Sequence, residues 1–123
     1  MLQLTPQQRL LLSVSPIDFR KGINTIAALV EQQLDEQPDD GTLFVFTNRG
    51  RTAVKILVYD GQGYWLCMKR FSSGKLKWWP KSSSDVYNIG AKELQVLLYQ
   101  GNPIQANIKP DWRPVNQATN CRA

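Results

Sequence analysis

The sequence predicts an α+β fold: a single domain in which two helices pack on one face of an antiparallel β-meander. Three observations lead to this prediction. Between residues 41 and 80, short apolar runs rich in Val, Ile, Phe, Tyr and Trp favour strands over helices. Breaks that contain Gly separate these runs, and we expect Gly in each break to supply the positive φ that tight reversals require. Segments before and after this stretch carry apolar residues at helical spacing.

The expected elements follow one another without internal repeats. Along the chain they are a strand over 9–15, a helix over 22–36, meander strands near 43–47, 53–60, 63–71 and 75–79, a short strand over 85–89, and a helix over 91–100. Apolar residues from Ile23 to Leu34 follow the i, i+3, i+4, i+7 spacing of one buried helix face. Asp18 is a candidate N-cap for this helix if the helix starts at Phe19.

The turn between the second and third meander strands sets their register. If Gly61-Gln62 forms a two-residue turn with Gly first, as type II′ turns prefer, Tyr59 lies opposite Tyr64. The pairing then continues with Leu57 opposite Leu66, Lys55 opposite Met68 and Ala53 opposite Arg70 on one face, and with Val54, Ile56 and Val58 against Lys69, Cys67 and Trp65 on the other. A slip of one residue would exchange the two faces, because side chains alternate along a strand.

The length of 123 residues suits one domain with a substantial core. We assign residues 1–101 to this domain, with its core over 10–101, and residues 102–123 to an extended or disordered tail. No apolar run reaches the roughly 20 residues of a membrane helix, and no basic region precedes the first apolar run as in a signal peptide. Two cysteines fit a reducing cytoplasm, which is the expected location.

The residue types exclude several classes of enzyme. The chain has no histidine, so a Ser-His-Asp triad, a Cys-His pair and a histidine-ligated zinc site are all impossible. The carboxylates show no spacing suited to a divalent metal, and Gly61-x-Gly63 is too short for a nucleotide-binding fingerprint. We therefore expect no catalytic residues, no metal ligands and no cofactor.

Charge is distributed unevenly along the chain. Residues 49–81 contain eight basic residues and one acid, whereas residues 31–40 contain five acids and no base. In a meander, the turns after the first and third strands lie at the same end of the sheet. That end would collect the basic residues Arg49, Arg51, Lys55, Lys69, Arg70 and Lys75.

Such a basic end predicts contacts with DNA phosphates. An alternative is a protein-interaction module that docks this end on an acidic partner and does not bind DNA. A third interpretation is that these basic residues only form a solvent-exposed surface and bind no partner.

A string of ordered motifs gives a second indication. The chain carries Asp18-x-Arg20-Lys21-Gly22, Ala27-Ala28-Leu29-Val30, Gly41-x-Leu43-Phe44-Val45-Phe46, Asn48-Arg49, Lys55-Ile56-Leu57, Asp60-Gly61-x-Gly63, Lys69-Arg70, Gly74 and Trp79-Pro80. In this order the motifs resemble the small accessory protein, called TnpB or Orf2, of the IS66 family of bacterial insertion sequences. That protein is unrelated to the RNA-guided nuclease that shares the name TnpB. The likeness covers about residues 10–101.

The resemblance implies a non-catalytic protein that is encoded beside a transposase and assists its movement of DNA. DNA and the transposase of the same element are then the expected partners, and the family pattern carries no catalytic residue. The chain departs from the pattern at Val58 and at Thr52-Ala53, where the family tends to have aromatic and basic residues.

Overall fold

The computed structural model of the chain describes residues 8–104 and contains one five-stranded sheet with two helices. In chain order the elements are β1 (Leu10–Ser13), α1 (Ile23–Gln32), β2 (Leu43–Thr47), β3 (Ala53–Tyr59), β4 (Tyr64–Arg70), β5 (Val86–Asn88) and α2 (Ala91–Leu98). The strands lie side by side in the order β4-β3-β2-β1-β5. The α+β class is therefore confirmed.

The sheet is mixed, which corrects the prediction of a purely antiparallel meander. β1 and β2 run parallel, with Leu10 beside Leu43 and Leu12 beside Val45, whereas the other three pairings are antiparallel. The physical reason is that α1 connects β1 to β2, and a helical crossover returns the chain to the same end of the sheet. Among the described residues, only β2, β3 and β4 form a meander.

The predicted strand over 75–79 does not form. Residues 71–80 instead cross from β4 on one edge of the sheet towards β5 on the other. Along this path the Leu76 amide donates to the Arg51 carbonyl at 2.8 Å, and the Trp79 indole donates to the Ser13 carbonyl at 3.0 Å. The segment buries Leu76 and Trp79 in the core rather than extending the sheet, because its apolar side chains cover one of the sheet's faces.

The two helices pack on opposite faces of the sheet, so the prediction that they share one face is wrong. Leu94 and Leu97 of α2 pack in one core cluster with Leu10, whereas Ile26 of α1 packs in a second cluster with Leu11. Successive side chains of a strand point to opposite faces, so neighbouring β1 residues belong to different cores. As a result β1 and β2 are buried along their whole length.

The first helix is shorter than predicted and lacks the expected cap. α1 starts after Gly22, which makes no side-chain capping bond, so the prediction that Asp18 caps a helix at Phe19 is wrong. Asp18 instead accepts a bond from the Arg20 amide at 2.9 Å and closes a local turn. The helix ends at Gln32 because Asp35 adopts a left-handed φ of 54°, which directs the chain away.

The β3–β4 register is confirmed in full. Tyr59 lies opposite Tyr64 and Ala53 opposite Arg70, with every intermediate pair as predicted. Gly61 has a φ of 96° and Gln62 has no positive φ, as a type II′ turn requires. The register could be predicted because a two-residue turn leaves the flanking strands a single alignment.

The predicted tail lies almost entirely outside the described residues, which end at Ile104, and residues 1–7 lie outside them as well. Within residues 8–104, no helix is long and apolar enough to cross a membrane.

The buried indole of Trp79 yields a stability prediction. Trp79 is 4% exposed and joins the crossing segment to β1, whereas Trp65 is 45% exposed on β4. We expect Trp79→Ala to lower the free energy of unfolding by about 3–5 kcal/mol, because it leaves a cavity and an unpaired carbonyl. The matched variant Trp65→Ala should cost about 1 kcal/mol or less. Urea unfolding followed by far-UV circular dichroism measures both, and equal losses would contradict the packing described here.

Candidate nucleic-acid interface

Three loops meet at the end of the sheet where β1 and β2 finish. The loop between β1 and α1 is joined to β2 by the Ile17 amide, which donates to the Thr47 carbonyl at 3.0 Å. The chain leaving β4 is joined to the β2–β3 turn by the Phe71 amide, which donates to the Thr52 carbonyl, also at 3.0 Å. Here we call this region the basic end, and its cationic residues are Arg20, Lys21, Arg49, Arg51, Arg70 and Lys75.

Four of the six predicted site residues present their side chains at the basic end. Arg49, Arg70 and Lys75 are exposed, and Arg51 is half-buried in the β2–β3 turn. The sequence analysis placed the turns after β2 and after β4 together, and the bonds to Thr52 and Arg51 are in accord with that placement. It did not bring Arg20 and Lys21 to this end, because that step needs the parallel pairing of β1 with β2.

A groove of about 610 Å³ separates the β1–α1 loop from the β2–β3 turn. It lies beyond the carboxyl ends of two parallel strands, where open sheets commonly bind ligands. Its lining combines an apolar floor with two guanidinium groups and one carboxylate: Pro16, Ile17, Asp18, Phe19, Arg20, Asn48, Arg49 and Gly50. Such a lining suits a phosphate-bearing ligand with an apolar part.

Asp18 and Arg20 form an ion pair on one wall of the groove. The Arg20 guanidinium approaches the Asp18 carboxylate to 2.6 Å, and the side chain of Arg20 is 91% exposed. These hydrogen bonds hold the pKa of Asp18 well below its usual range. The carboxylate therefore stays ionised at neutral pH and offsets one positive charge of the basic end.

Side-chain hydrogen bonds within the β2–β3 turn fix its shape. The Asn48 amide side chain accepts from the Thr52 backbone and donates to the Thr52 hydroxyl, both at 2.9 Å. The expectation that Gly supplies the positive φ of each break holds at Gly61 and Gly74 but is wrong here. Arg51 adopts a φ of 59°, a conformation that L residues other than Asn and Asp rarely take.

Lys55 is a positioning residue beneath the groove. Its side chain is buried, with 8% of the residue exposed, and its ammonium donates to the carbonyls of Phe19 at 2.7 Å and Lys21 at 3.1 Å. The ammonium also lies 5.1 Å from the centre of the Phe19 ring. Because β3 is paired on both sides, with β2 and with β4, these bonds hold the β1–α1 loop against the sheet.

Lys69 has a similar structural role on the opposite face. Its ammonium donates to the Leu98 carbonyl at 2.6 Å, at the end of α2, and lies 4.5 Å from the centre of the Tyr99 ring. Burial lowers the pKa of this lysine. A lysine near a helix C-terminus stabilises the free carbonyls there. Lys55 and Lys69 therefore organise the basic end from inside the protein.

Acidic groups lie at the other end of the sheet. The Asp60 carboxylate closes the β3–β4 turn by accepting from the Gln62 and Gly63 amides at 2.9 Å, which lowers its pKa. Burial raises the pKa of Tyr64 near the same turn, and the carboxylates of Asp39 and Glu31 add to the rise. The molecule is therefore dipolar along its strands.

The motif residues divide between these two ends. Asp18, Arg20 and Lys21 form one side of the basic end, and Gly22 precedes the first residue of α1. Asp60, Gly61 and Gly63 form the distant turn. Among residues 8–104, no group of His, Cys, Asp and Glu side chains is arranged to hold a metal ion.

Comparisons with known proteins give the family context. A family model described as "IS66 Orf2 like protein" matches residues 8–108. Uncharacterized protein y4jC of Sinorhizobium fredii is 29% identical over 110 residues, which cover 89% of this chain and 93% of that protein. Uncharacterized protein y4hO of the same organism is 33% identical over 90 residues, covering 73% of this chain and 77% of that protein. No solved structure gives a significant match.

The family model spans both sides of the groove, the β3–β4 turn and α2, and so covers the whole fold described above. The chain therefore belongs to the IS66 Orf2-like family of insertion-sequence proteins.

Proposed function

We propose that this protein is a non-catalytic accessory protein of an IS66-type transposition system and that it binds DNA through its basic end. One observation carries the proposal: three loops that are distant in sequence bring six cationic residues to one end of the sheet, and two of them, Arg20 and Arg49, line a groove there. The acidic groups of residues 31–40 lie at the other end of the strands. A dipolar molecule of this kind is steered towards an anionic surface with its basic end forward.

The chemistry of the basic end supports phosphate as the ligand. Four of its six cations are arginines, whose planar guanidinium groups can bind phosphate oxygens through two parallel hydrogen bonds. No helix presents side chains to the groove in the manner of a recognition helix, because its walls are loops. Binding should therefore depend on salt and depend little on base sequence.

The backbone of Arg51 gives independent support. A left-handed φ at a residue other than Gly costs on the order of 1–3 kcal/mol, and such conformations are concentrated at functional sites. Arg51 holds this conformation at 59° directly after Gly50, which could adopt it without strain and does not. This strained conformation supports a functional role for the guanidinium at this position.

A second candidate function is docking on an acidic protein, such as the transposase of the same element. The Asp18–Arg20 pair favours it, because a protein surface can offer a carboxylate to Arg20 and a hydrogen-bond donor to Asp18 at the same time, whereas a phosphate is repelled by Asp18. The two functions differ in one measurable respect. DNA binding needs no transposase, whereas the docking module binds the transposase and leaves free DNA unbound.

We expect the purified protein to leave supercoiled plasmid intact in the presence of magnesium or manganese. The chain has no histidine, and residues 8–104 offer no cluster of metal ligands. Agarose gel electrophoresis after prolonged incubation provides the measurement. Nicking that depends on metal and is lost in Asp60→Asn or Asp85→Asn would overturn the non-catalytic assignment.

We expect DNA affinity to fall steeply with salt. If four to six phosphates are neutralised, log affinity plotted against log salt should have a slope of about −4 to −5. The double variant Arg49→Glu/Arg70→Glu should flatten this slope, since it reverses two exposed charges of the basic end. Lys92→Glu is the control, because Lys92 lies near the start of α2, at the opposite end of the sheet from the groove.

Fluorescence anisotropy with a short labelled duplex, from about 50 to about 300 mM salt, measures these slopes. Absence of binding at the lowest salt would contradict the DNA proposal and favour the docking function. So would equal binding by the wild type and the double reversal.

Arg51 allows binding and stability to be separated. Arg51→Gly removes one charge and also relieves the left-handed backbone, so its free energy of unfolding should stay within about 1 kcal/mol of the wild type. Its salt slope should become shallower by about 1. Arg51→Lys is the matched variant and should keep the slope. If Arg51→Gly binds as tightly as the wild type, or if it unfolds, the role assigned to Arg51 is wrong.

A further inference from the structure

β4 is an unprotected edge of the sheet. Among residues 8–104 its one strand neighbour is β3, and it pairs with β3 over all seven residues from Tyr64 to Arg70 without a bulge. Proteins usually blunt such an edge by shortening it, bulging it, or placing proline or charged side chains in it. β4 has only the last of these devices, at Lys69 and Arg70, and the Lys69 ammonium is bound to the Leu98 carbonyl. The outer backbone groups of the strand are therefore available to another strand.

The hydrogen bonds at the two ends of the hairpin show which residues face outward. The Asp60 amide donates to the Gly63 carbonyl, and the Phe71 amide donates to the Thr52 carbonyl, both at 3.0 Å. Hydrogen-bonded and non-bonded pairs alternate in an antiparallel ladder, so the odd-numbered residues between these points bond to β3. The residues whose amides and carbonyls point outward are Tyr64, Leu66, Met68 and Arg70.

Apolar side chains flank this edge on both faces of the sheet. Trp65 points to the face that carries α2, and Met68 points to the face that carries α1, since they differ by an odd number of positions. Each is 45% exposed, which is high for apolar side chains of their size. A strand added at this edge would cover both.

The charge pattern favours a second copy of this chain as that strand. β4 begins at Tyr64, beside the carboxylates of Asp39 and Glu31, and ends at Arg70 of the basic end. An antiparallel arrangement of two identical strands brings the start of each against the end of the other. Arg70 of one copy would then lie near the acidic groups around Tyr64 of the second copy, on the same face of the sheet.

We propose that two copies of the protein pair antiparallel through β4 and form one continuous ten-stranded sheet. The two-fold axis passes Cys67, the central residue of the strand, because this is the register in which all four outward-facing residues have a partner. Tyr64 lies opposite Arg70, and Leu66 opposite Met68, as hydrogen-bonded pairs; Cys67 lies opposite Cys67 of the second copy as a non-bonded pair. The two basic ends then lie at opposite ends of the joined sheet.

Oxidative cross-linking tests the register. In the full chain carrying Cys121→Ser, mild oxidation should give a disulfide-linked dimer through Cys67, since facing Cβ atoms of a non-bonded pair lie about 4.5–5.5 Å apart, close to disulfide range. The control carries Cys67→Ser and Met68→Cys in the same background. It should cross-link far less, because residue 68 faces residue 66 in this register. Equal cross-linking at both positions, or none at Cys67, would overturn the register.

Sedimentation equilibrium over a roughly hundred-fold range of protein concentration tests the dimer itself, independently of DNA binding. The wild type and Met68→Ala should dimerise at high concentration. Met68→Pro should remain monomeric with an unchanged circular dichroism spectrum, because it removes an outward amide and leaves the bonds to β3 intact. A wild type that stays monomeric would overturn the proposal. A monomer is also the result expected if residues 105–123 of the same chain occupy this edge. An equally dimeric Met68→Pro would also overturn it.

Discussion

The fold depends on covering both faces of the parallel β1–β2 pair. Each of these short strands is apolar except for its last residue, Ser13 or Thr47, and all of its residues are buried, so neither of its faces can be left to water. Leu10 and Leu12 point to one face and Leu11 to the other, and a separate core forms on each side. α1 covers one core as it connects the two strands. α2 and the crossing segment that carries Trp79 cover the other.

This arrangement also creates the basic end. Because β1 and β2 run parallel, the loops that follow them leave the sheet at the same edge, and a groove lies between them. Lys55 then links the third strand to the β1–α1 loop by donating to two of its carbonyls. A lysine buried in this way costs solvation free energy, which its hydrogen bonds offset only while the loop stays in place. The core and the groove are therefore coupled through one side chain.

The motif residues that carry the resemblance to the IS66 Orf2-like family take two kinds of structural position. Asp18, Arg20 and Arg49 meet at the groove although about thirty residues separate the two motifs. Asp60 and Gly61 lie at the far end, where the carboxylate accepts two backbone bonds and the positive φ closes the turn. The first group has exposed charges and suits an interface, whereas the second satisfies its own backbone. The motif residues therefore lie in an exposed charged groove at one end of the sheet and in a tight turn at the other.

Local features could be predicted from the sequence because they depend on neighbours in the chain. The β3–β4 register followed from a two-residue turn and from side chains that alternate between faces, and the helices followed from their apolar spacing. The continuous apolar runs of β1 and β2 also carried a signal that both faces are buried, which the prediction of a one-sided meander missed.

Features that depend on distant parts of the chain could not be predicted in this way. Hydropathy does not distinguish a parallel neighbour from an antiparallel one, so the position of β1 beside β2, and with it Arg20 beside the Asn48–Arg49 turn, emerged only from the packed structure. The same holds for Lys55 and Lys69, which the sequence grouped with the exposed cations. Their carbonyl partners lie 29 to 36 residues away, and burial against those partners makes them structural. Composition supplied the positive charge, and the packing of the two faces separated the cations that face solvent from those that hold the loops.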